Sequence, residues 1–345
     1  MSDNICLLLG AGVSAEQKLP TWLDLVKGVV DYYSIDLNVD KDNLISSIGI
    51  IEDDRFSNIQ KSLNDANINY DINECQEWSR RKIALATRVC LKRNLISQNL
   101  EDIKSKMLLM RKIVESVYER VEKNLLTTII TYNFDDYFEF AFKCFLEEKG
   151  ELHRFDDLLE SRTIGSIEQH LPSGCREKKL INVYHVHGFI PVFDEVFGYE
   201  LYKKNWCEYK KCNSTFYEKC LEKGIVFSES DYSTLRDDSI VGWTNMIQYI
   251  CYSQLDVITI GFSMTDANFR TLISRMKKSK DKMKSAILFL GFPDGDVEKK
   301  NSAETSAYTA KYLFKDVCQK IECKVCSFCS ELPNEVRNSI SYFVK

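Results

Sequence analysis

The chain has 345 residues, of which 44% are hydrophobic and 28% charged, and its formal net charge is −5. These values are typical of a globular protein with one large domain carrying an insertion, or with two domains. The sequence contains no apolar run of about 18 residues and no signal-peptide pattern, which argues against a membrane protein and favours a cytoplasmic one. The negative net charge predicts no direct binding of nucleic acid.

The first predicted strand, Ile5 to Leu9, is a short apolar run that ends in a glycine-rich turn. The turn, Gly10-x-Gly12-x-x-Ala15, fits the Ala-ended form of the dinucleotide-binding fingerprint. Its glycines would permit a tight turn and the close approach of a pyrophosphate, and unpaired N–H groups of the following helix would face the phosphates. Alone the motif is weak, because small residues often follow a first strand and the usual acidic ribose ligand about 20 residues later is not clear.

From about residue 31 to residue 124 the sequence is helical in character and contains no strand-like run. A segment of this length is too long for a single crossover helix. We therefore predict a helical module, 31–124, inserted into a domain that spans 1–345. Aromatic residues, lysines and three cysteines predict a second, smaller insertion at 198–224.

The rest of the chain alternates strands with helices, which predicts an α/β fold with an open, doubly wound, Rossmann-like parallel sheet. The segment 150–180 is polar and irregular, and the predicted strands after the first cover 127–131, 182–188, 225–232, 257–261, 286–290 and 323–328. Ligands of such sheets lie at the carboxyl ends of the strands, near the topological switch point. Four polar motifs follow strands there, at residues 10–14, 132–135, 185–188 and 261–266.

Two of these motifs allow a structural as well as a functional interpretation. Asn133 and Asp135 could cap the helix that begins near Tyr137, as Asn and Asp often do. His187 could be a core histidine or a catalytic base with a pKa near neutrality. Because His185 lies two residues earlier, on the same face of the predicted strand, a His-x-His metal pair is a further alternative, but no matching third ligand is evident.

The thirteen cysteines are an odd number spread along the chain, as expected of free thiols in a cytosolic protein. Cys323, Cys326 and Cys329 form a Cys-x-x-Cys-x-x-Cys run, but a fourth ligand at a recognised offset is missing. A second group of three cysteines, within 198–224, contains no Cys-x-x-Cys knuckle. We therefore expect no bound metal.

Taken in order, the motifs resemble those of the sirtuin superfamily. Residues 10–14 look like its first cofactor loop, 131–135 like its Thr-Gln-Asn-Ile-Asp segment, 186–188 like the strand with its catalytic histidine, and 261–263 like its Gly-Thr-Ser loop. The likeness is closest to the bacterial sirtuin-like NAD-hydrolase domains of anti-phage defence systems. Their variants include Leu-Pro-Thr-Trp, Ser-Glu-x-Asp-Tyr and Gly-Phe-Ser-x-x-Asp, found here at 19–22, 228–232 and 261–266.

The departures from protein-deacylating sirtuins concern the peptide side of the site. Those enzymes carry two Cys-x-x-Cys knuckles for a structural zinc after the histidine, where the cysteines of this chain have other spacings. Their Phe-Gly-Glu strand, beside which the acyl-lysine substrate pairs, here reads Phe227-Ser228-Glu229. The cofactor side resembles the family while the peptide side does not, which favours hydrolysis of NAD itself and predicts no zinc.

The resemblance implies an NAD⁺ glycohydrolase that cleaves the bond between nicotinamide and ribose, depleting NAD in an abortive-infection response to phage. By the same resemblance, the catalytic residues are Asn133, His187 and Asp135. The residues expected to bind NAD are Gly10, Ala11, Gly12, Ser14, Pro20, Thr21, Trp22, Thr131, Tyr132, Gly261, Ser263 and Asp266. The alternatives are an NAD-dependent protein deacylase and a non-catalytic sensor of NAD or ADP-ribose.

An NAD hydrolase that is always active would kill its host, so the resemblance also implies gating. Because the predicted sheet domain continues to the last residue, we expect gating by homo-oligomerisation or by a second protein. The helical module 31–124 is the expected contact surface. The resemblance suggests a HerA-type ATPase or an Argonaute-like protein as the activating partner.

Overall fold

The computed structural model describes residues 4–37, 72–163, 179–202, 225–226, 239–264, 266–292, 295, 297–318, 321–327 and 332–342. Seven strands form one sheet with the order β3-β4-β2-β1-β5-β6-β7, and every pairing is parallel. The strands are β1 (Ile5–Leu9), β2 (Thr127–Thr131), β3 (Leu159–Thr163), β4 (Ile181–His185), β5 (Asp256–Ile260), β6 (Ser285–Phe292) and β7 (Ile321–Ser327). The predicted doubly wound α/β fold is confirmed.

Helices cover both faces of this sheet. Those before β4 are α1 (Ala11–Ser14), α2 (Trp22–Leu37), α3 (Ile72–Arg93), α4 (Leu100–Lys106), α5 (Leu109–Val121), α6 (Tyr137–Glu148) and α7 (Phe155–Leu158). Those after it are α8 (Val192–Tyr202), α9 (Ser239–Gln254), α10 (Ala267–Ser279), α11 (Val297–Phe314) and α12 (Leu332–Tyr342). No helix in the described ranges is long and apolar enough to cross a membrane.

Alternate side chains of the central strands enter two separate cores. Ile5, Leu7 and Leu9 of β1 belong to the core under α2–α6, α8 and α12. Cys6 and Leu8 belong to the core under α9, α10 and α11. A strand buried on both faces needs an uninterrupted apolar run, and this is why β1 was recognisable from the sequence.

The register of the strands places their carboxyl ends at one edge. Leu9 of β1 pairs with Thr131 of β2 on one side and with Ile260 of β5 on the other, and Thr131 pairs with His185 of β4. The chain builds β2, β3 and β4 on one side of β1 and β5, β6 and β7 on the other, so the topological switch point lies between β1 and β5. The turns that follow these strands therefore meet.

Strand β3 was not predicted, because the segment 150–180 looked irregular. Its sequence, Leu-Glu-Ser-Arg-Thr, contains no apolar run, and its three central residues are only half-buried. It is an edge strand, so it needs fewer apolar side chains than the central strands. Of the predicted strand 225–232 only residues 225–226 are described, and they lie outside the sheet.

The described residues between β1 and β2 are helical, and residues 38–71 of the predicted module 31–124 lie outside the described part. Helix α8 extends to Tyr202, within the predicted small insertion 198–224, and 203–224 lie outside it as well. The boundaries of both insertions remain predictions.

Candidate active site

The turn after β1 packs directly against the turn after β5. The N–H of Gly10 donates to the carbonyl of Ile260 at 3.0 Å, and that of Gly12 donates to the carbonyl of Gly261 at 2.9 Å. A Cβ atom on Gly10 would lie 2.5 Å from the Gly261 carbonyl oxygen, and one on Gly12 would lie 2.9 Å from the Gly261 Cα. Gly261 itself has a φ of +65°, which favours glycine. The contact between the two turns thus requires glycine at all three positions.

This contact corrects one expectation about the glycine turn. The N–H of Gly12, expected to be open to a phosphate, already donates within the protein. The N–H of Val13 also does so, to the carbonyl of Gly10 at 3.0 Å. The expectation of unpaired N–H groups is therefore wrong for these two residues. For Gly12 the physical reason is that β1 and β5 end level with each other, so the carbonyl of Gly261 lies next to its N–H. For Val13 it is the tightness of the turn itself, which places the Gly10 carbonyl next to its N–H.

The side chain of Asn133 is anchored to the turn after β1. Its Nδ2 donates to the carbonyl of Gly10 and to Ser14 Oγ, both at 3.1 Å. Its backbone N–H donates to Thr131 Oγ1 at 3.0 Å. Ser14 Oγ donates in turn to Asp135 Oδ1 at 3.1 Å. The amide of Asn133 is thus held with its nitrogen toward the glycine turn, which is not the helix-capping role that the sequence also allowed.

Asp135 is buried in the same network and supports helix α6. Its Oδ1 accepts the N–H of Tyr137, the first residue of α6, at 3.1 Å. The N-cap residue itself is Asp136, whose side chain makes no cap hydrogen bond, so the capping alternative holds for Asp135 only in that its carboxylate binds the start of the helix. Burial raises the pKa of Asp135 to about 6, although the hydrogen bonds from Tyr137 and Ser14 lower it. A carboxyl with this pKa changes its protonation state just below neutral pH.

Glu16 connects the turn after β1 to the helices between β1 and β2, and the sequence did not reveal it. Its carboxylate accepts the N–H groups of Leu108, Leu109 and Met110, at 3.0, 2.8 and 3.0 Å, around the start of α5. Tyr137 Oη donates to Glu16 Oε1 at 2.5 Å. A carboxylate on a helix N-terminus is favourable, but burial raises the pKa of Glu16 despite these hydrogen bonds. Nothing in the local sequence indicates a contact about ninety residues away.

His185, the last residue of β4, is a buried structural residue. Its Nε2 lies 2.7 Å from Glu139 Oε1 on α6, and Ser161 Oγ donates to the same oxygen at 2.6 Å. Burial raises the pKa of Glu139, but the pairing with His185 and Ser161 outweighs it and holds that pKa below its usual value.

His187 faces a different set of residues, on the side of α10. Its Nε2 lies 3.4 Å from Asp266 Oδ2, and its ring stands edge-on to that of Tyr132 at a centroid distance of 4.8 Å. His187 follows β4 in a turn, so strand alternation does not place it beside His185, and the expectation of a shared face is wrong. The two histidines therefore do not form a metal pair.

The environment of His187 favours its neutral form. The residue is 5% exposed, and burial lowers its pKa below the usual value although the charge of Asp266 raises it. A histidine that is neutral at neutral pH can accept a proton, which is what a general base requires.

Comparison with protein families identifies the chain. A family model described as a SIR2-like domain matches residues 127–314, which is more than half of the 345 residues. The chain belongs to the SIR2-like domain family. It is thereby a member of the sirtuin-like superfamily, whose SIR2-like domains are NAD-dependent enzymes. A comparison with curated proteins finds no match.

The segment matched by the SIR2-like model contains Asn133, Asp135, His187 and the turn 261–266, and it begins after the glycine turn. The glycine turn is nevertheless part of the same site, because Asn133 Nδ2 donates to the Gly10 carbonyl and the Gly12 N–H donates to the Gly261 carbonyl.

The expected site residues of this SIR2-like chain divide by accessibility. Buried members are Gly10, Ser14, Thr131, Tyr132, Asp135 and His187. Half-buried or exposed members are Ala11, Gly12, Pro20, Thr21, Trp22, Asn133, Gly261, Ser263 and Asp266. Apart from Trp22, the accessible set is small or polar, and it follows strands whose carboxyl ends meet at the switch point, where sheets of this class bind dinucleotides, so it fits NAD. The buried set contacts the accessible one, as Ser14 does Asn133.

Tyr132 is directed into the protein. Its ring stacks on Phe262 at a centroid distance of 4.5 Å. Its hydroxyl donates to Gln248 Oε1 and lies 3.3 Å from the hydroxyl of Tyr252, both on α9. Burial raises the pKa of the Tyr132 hydroxyl well above its usual value. Because the Tyr132 hydroxyl is engaged within the core, any contact of Tyr132 with NAD would be made by its backbone or by its ring edge.

The motif at 19–22 forms the start of α2. Thr21 Oγ1 donates to Oδ2 of Asp24, three residues later, at 2.8 Å. Contacts between residues at this spacing are typical of helix N-termini. The Trp22 ring lies 6.2 Å from that of Phe134, next to Asn133 in sequence. The motif is thus placed beside the site by a helix start and an aromatic contact.

The cysteine run at the C-terminal end is only partly described. Cys323 lies on β7, where its Sγ is 3.8 Å from the carbonyl oxygen of Ala307 on α11. Within the described ranges no three His, Cys, Asp or Glu side chains are grouped so as to hold a metal ion. Cys329 and the cysteines of 203–224 lie outside those ranges, so the absence of zinc remains a prediction.

Proposed function

We propose that this protein is an NAD⁺ glycohydrolase that releases nicotinamide and ADP-ribose. The observation that carries the proposal is the anchoring of the Asn133 amide to Gly10 and Ser14, at the same sheet edge as the buried His187. The membership in an NAD-using family supports it. The absence from the sequence of two Cys-x-x-Cys knuckles after the histidine disfavours a protein-deacylating sirtuin.

The reaction breaks the bond between the nicotinamide nitrogen and C1′ of the ribose. Nicotinamide leaves with the bonding electron pair as a neutral molecule, and the transition state has oxocarbenium character as in other glycosyl transfers. The oxygen of a water molecule forms the new bond to C1′, and the water proton passes to a base. The protein must therefore orient the dinucleotide, position the water and accept a proton.

We assign these tasks to three side chains. His187 is the general base, directly or through a ribose hydroxyl, and its lowered pKa supports this role. Asn133 orients the nicotinamide ribose and the attacking water, and its anchoring to Gly10 and Ser14 fixes the amide for that purpose. Asp135 supports the pocket through Ser14. Phosphate binding falls to Ala11, with help from the exposed Ser263, because the hydroxyl of the buried Ser14 is engaged by Asp135 and Asn133.

We further propose that the enzyme is a gated effector of defence against phage. A homo-oligomer or an activating protein, of the HerA-type ATPase or Argonaute-like kind, would control it through the helices between β1 and β2. The contacts of Glu16 support a coupling of this kind. Glu16 lies two residues after Ser14 in the sequence, and its carboxylate binds the N-terminus of α5.

The test is an NAD⁺-cleavage assay with the purified protein, alone and together with the product of the neighbouring gene, in which nicotinamide and ADP-ribose are quantified. Asn133→Ala and His187→Ala should each lower the rate by about 10²–10⁴-fold, as expected when a positioning group or a base is removed. Asn182→Ala and His153→Ala are matched controls, because Asn182, on β4, donates to the Lys179 carbonyl and His153 is exposed in a short 3₁₀ helix.

Three results would contradict the proposal. Unchanged cleavage by both site variants would refute the assigned residues. Nicotinamide release that requires an acyl-lysine peptide would identify a deacylase. No turnover under any activating condition, with NAD or ADP-ribose still bound, would identify a sensor.

A further inference from the structure

We propose that Asp266 is a positioning residue that holds His187 in the tautomer with hydrogen on Nε2, leaving Nδ1 as the nitrogen that accepts the proton. The catalytic consequence rests on the proposed NAD⁺ hydrolysis. The tautomer itself does not depend on that function and can be measured without any substrate.

The two oxygens of the Asp266 carboxylate have separate partners. Oδ1 accepts the N–H of Phe269 at 2.7 Å, which makes Asp266 the N-cap of α10. Oδ2 lies 3.4 Å from His187 Nε2. Because the cap fixes the carboxylate on a thirteen-residue helix, Oδ2 has a defined position relative to the imidazole.

The imidazole is equally constrained. The side chains of His187 and Asp266 are 7% and 14% exposed, so little water competes for their contact. The ring of Tyr132 stands edge-on to the His187 ring, and Tyr132 is itself held between Phe262, stacked at 4.5 Å, and Phe269, at 6.3 Å. Phe269 thus supports Asp266 directly, through its N–H, and supports His187 indirectly, because its ring contacts the Tyr132 ring that packs on the imidazole.

The chemistry of the two groups decides the tautomer. A carboxylate only accepts hydrogen bonds, and a neutral imidazole carries one N–H and one lone pair. The nitrogen that faces Asp266 must therefore be the protonated one, and Nδ1 keeps the lone pair. When Nδ1 takes up a proton, the same carboxylate stabilises the imidazolium that forms, as the buried acid of hydrolase triads does.

The groups that face His187 can be named element by element. Among the described residues, Asp266 at the N-terminus of α10 presents a charged group, and it raises the pKa of His187 against the lowering effect of burial. Tyr132, after β2, faces the ring with its edge, and burial together with Asp266 raises the pKa of its hydroxyl, so it stays neutral. Phe134, at a centroid distance of 6.5 Å, is apolar.

The first experiment observes the imidazole nitrogens by NMR in protein labelled with ¹⁵N-histidine, without NAD. The chain has four histidines, and the signal lost in His187→Gln identifies the one of interest. We expect the Nε2–H tautomer in the wild type. In Asp266→Asn, Oδ1 can still cap Phe269 while the Nδ2 donor faces His187 Nε2, so the Nδ1–H tautomer should gain population and the titration midpoint of His187 should move to lower pH. An Nδ1–H tautomer in the wild type, or an unchanged titration in the variant, would overturn the proposal.

The second experiment measures NAD⁺ hydrolysis against pH. We expect Asp266→Asn, at a position also expected to lie near NAD, to lower kcat by about 10²-fold, to raise KM by a smaller factor and to move the acid limb of kcat/KM to lower pH. Asp266→Ser, which also keeps a cap, should behave alike and guards against a misfolded first variant. Asp102→Asn is the matched control. Asp102 belongs to the capping box of α4, so this substitution removes the same charge at the start of another helix.

The outcomes separate this inference from the proposed function. An active enzyme whose kcat and pH profile are the same in Asp266→Asn would refute the positioning role and leave the hydrolase intact. A wild type that never cleaves NAD would refute the hydrolase, and the NMR measurement would then decide the tautomer alone.

Discussion

The two flanks of the glycine turn hold their functional residues by different physical means. On the β2 flank, Asn133, Ser14 and Asp135 form a chain of hydrogen bonds that ends on the N–H of Tyr137. On the side of α10, which follows β5, His187 is held by the aromatic rings of Tyr132 and Phe134 and by the carboxylate of Asp266. The first group is fixed by a chain of hydrogen bonds, while His187 is fixed by packing together with one carboxylate.

The difference has an opposite consequence for each titratable group. Burial disfavours the charged form in both cases, so it raises the pKa of Asp135 to about 6 and lowers the pKa of His187 below its usual value. The same cause makes the acid easier to protonate and the base harder to protonate. The same sheet edge thereby holds a carboxyl whose pKa is about 6 and a histidine whose neutral form is favoured by burial.

The largest effect is expected where the two flanks meet. Gly261→Ala adds a Cβ 2.6 Å from the Val13 nitrogen at a φ of +65°, so it should lower the free energy of unfolding by about 2–5 kcal/mol through backbone strain and overpacking. Gly150→Ala is the control, because its φ is +73° and nothing lies within 4 Å of its Cβ position. Urea unfolding checks both, and equal losses would mean that the contact between the turns contributes nothing.

The second prediction uses pH to separate the flanks. A group whose pKa is higher in the folded state stabilises the folded protein below its unfolded-state pKa, and this contribution is lost as pH rises. Asp135 should therefore favour folding more at pH 4 than at pH 7, by about 3 kcal/mol at most. A lowered histidine pKa works the other way, and the contribution of His187 should be present above about pH 6.5 and lost as pH falls.

The measurement is the unfolding free energy against pH for the wild type, Asp135→Asn and His187→Gln. The difference between wild type and Asp135→Asn should shrink or change sign as pH rises from 4 to 7, and the difference for His187→Gln should shrink as pH falls. Parallel curves for the three proteins would show that burial does not shift the pKa of Asp135 or of His187.

The smallest effect is expected from Tyr132→Phe, which sharpens the description of the surroundings of His187 as packing. The change removes the hydrogen bond to Gln248 and keeps the ring that touches His187 and Phe262, so it should cost about 1 kcal/mol of stability. The KM for NAD should change little, because the hydroxyl points into the core. A large rise in KM would place the hydroxyl in contact with the substrate.

Much of this arrangement could be predicted from the sequence because it depends on local patterns. Strands such as Ile5–Leu9 are apolar runs, and polar motifs follow them where parallel strands end. Strand β3 could not be predicted, because an edge strand carries a polar sequence. The separation of His185 from His187 could not be predicted either, because it depends on where β4 ends.

The sequence by itself determined the alternation of strands and helices except for β3, the edge at which the motifs collect, and the identity of Asn133, Asp135 and His187 as candidates. Only the tertiary structure decided that Gly10 and Gly12 contact the turn at Gly261, that Glu16 binds the start of α5, and that Asp266 faces His187. The reason is that periodicity records which face of an element is buried. Which neighbour meets that face is a property of strand order and register, and these exist only once the chain has folded.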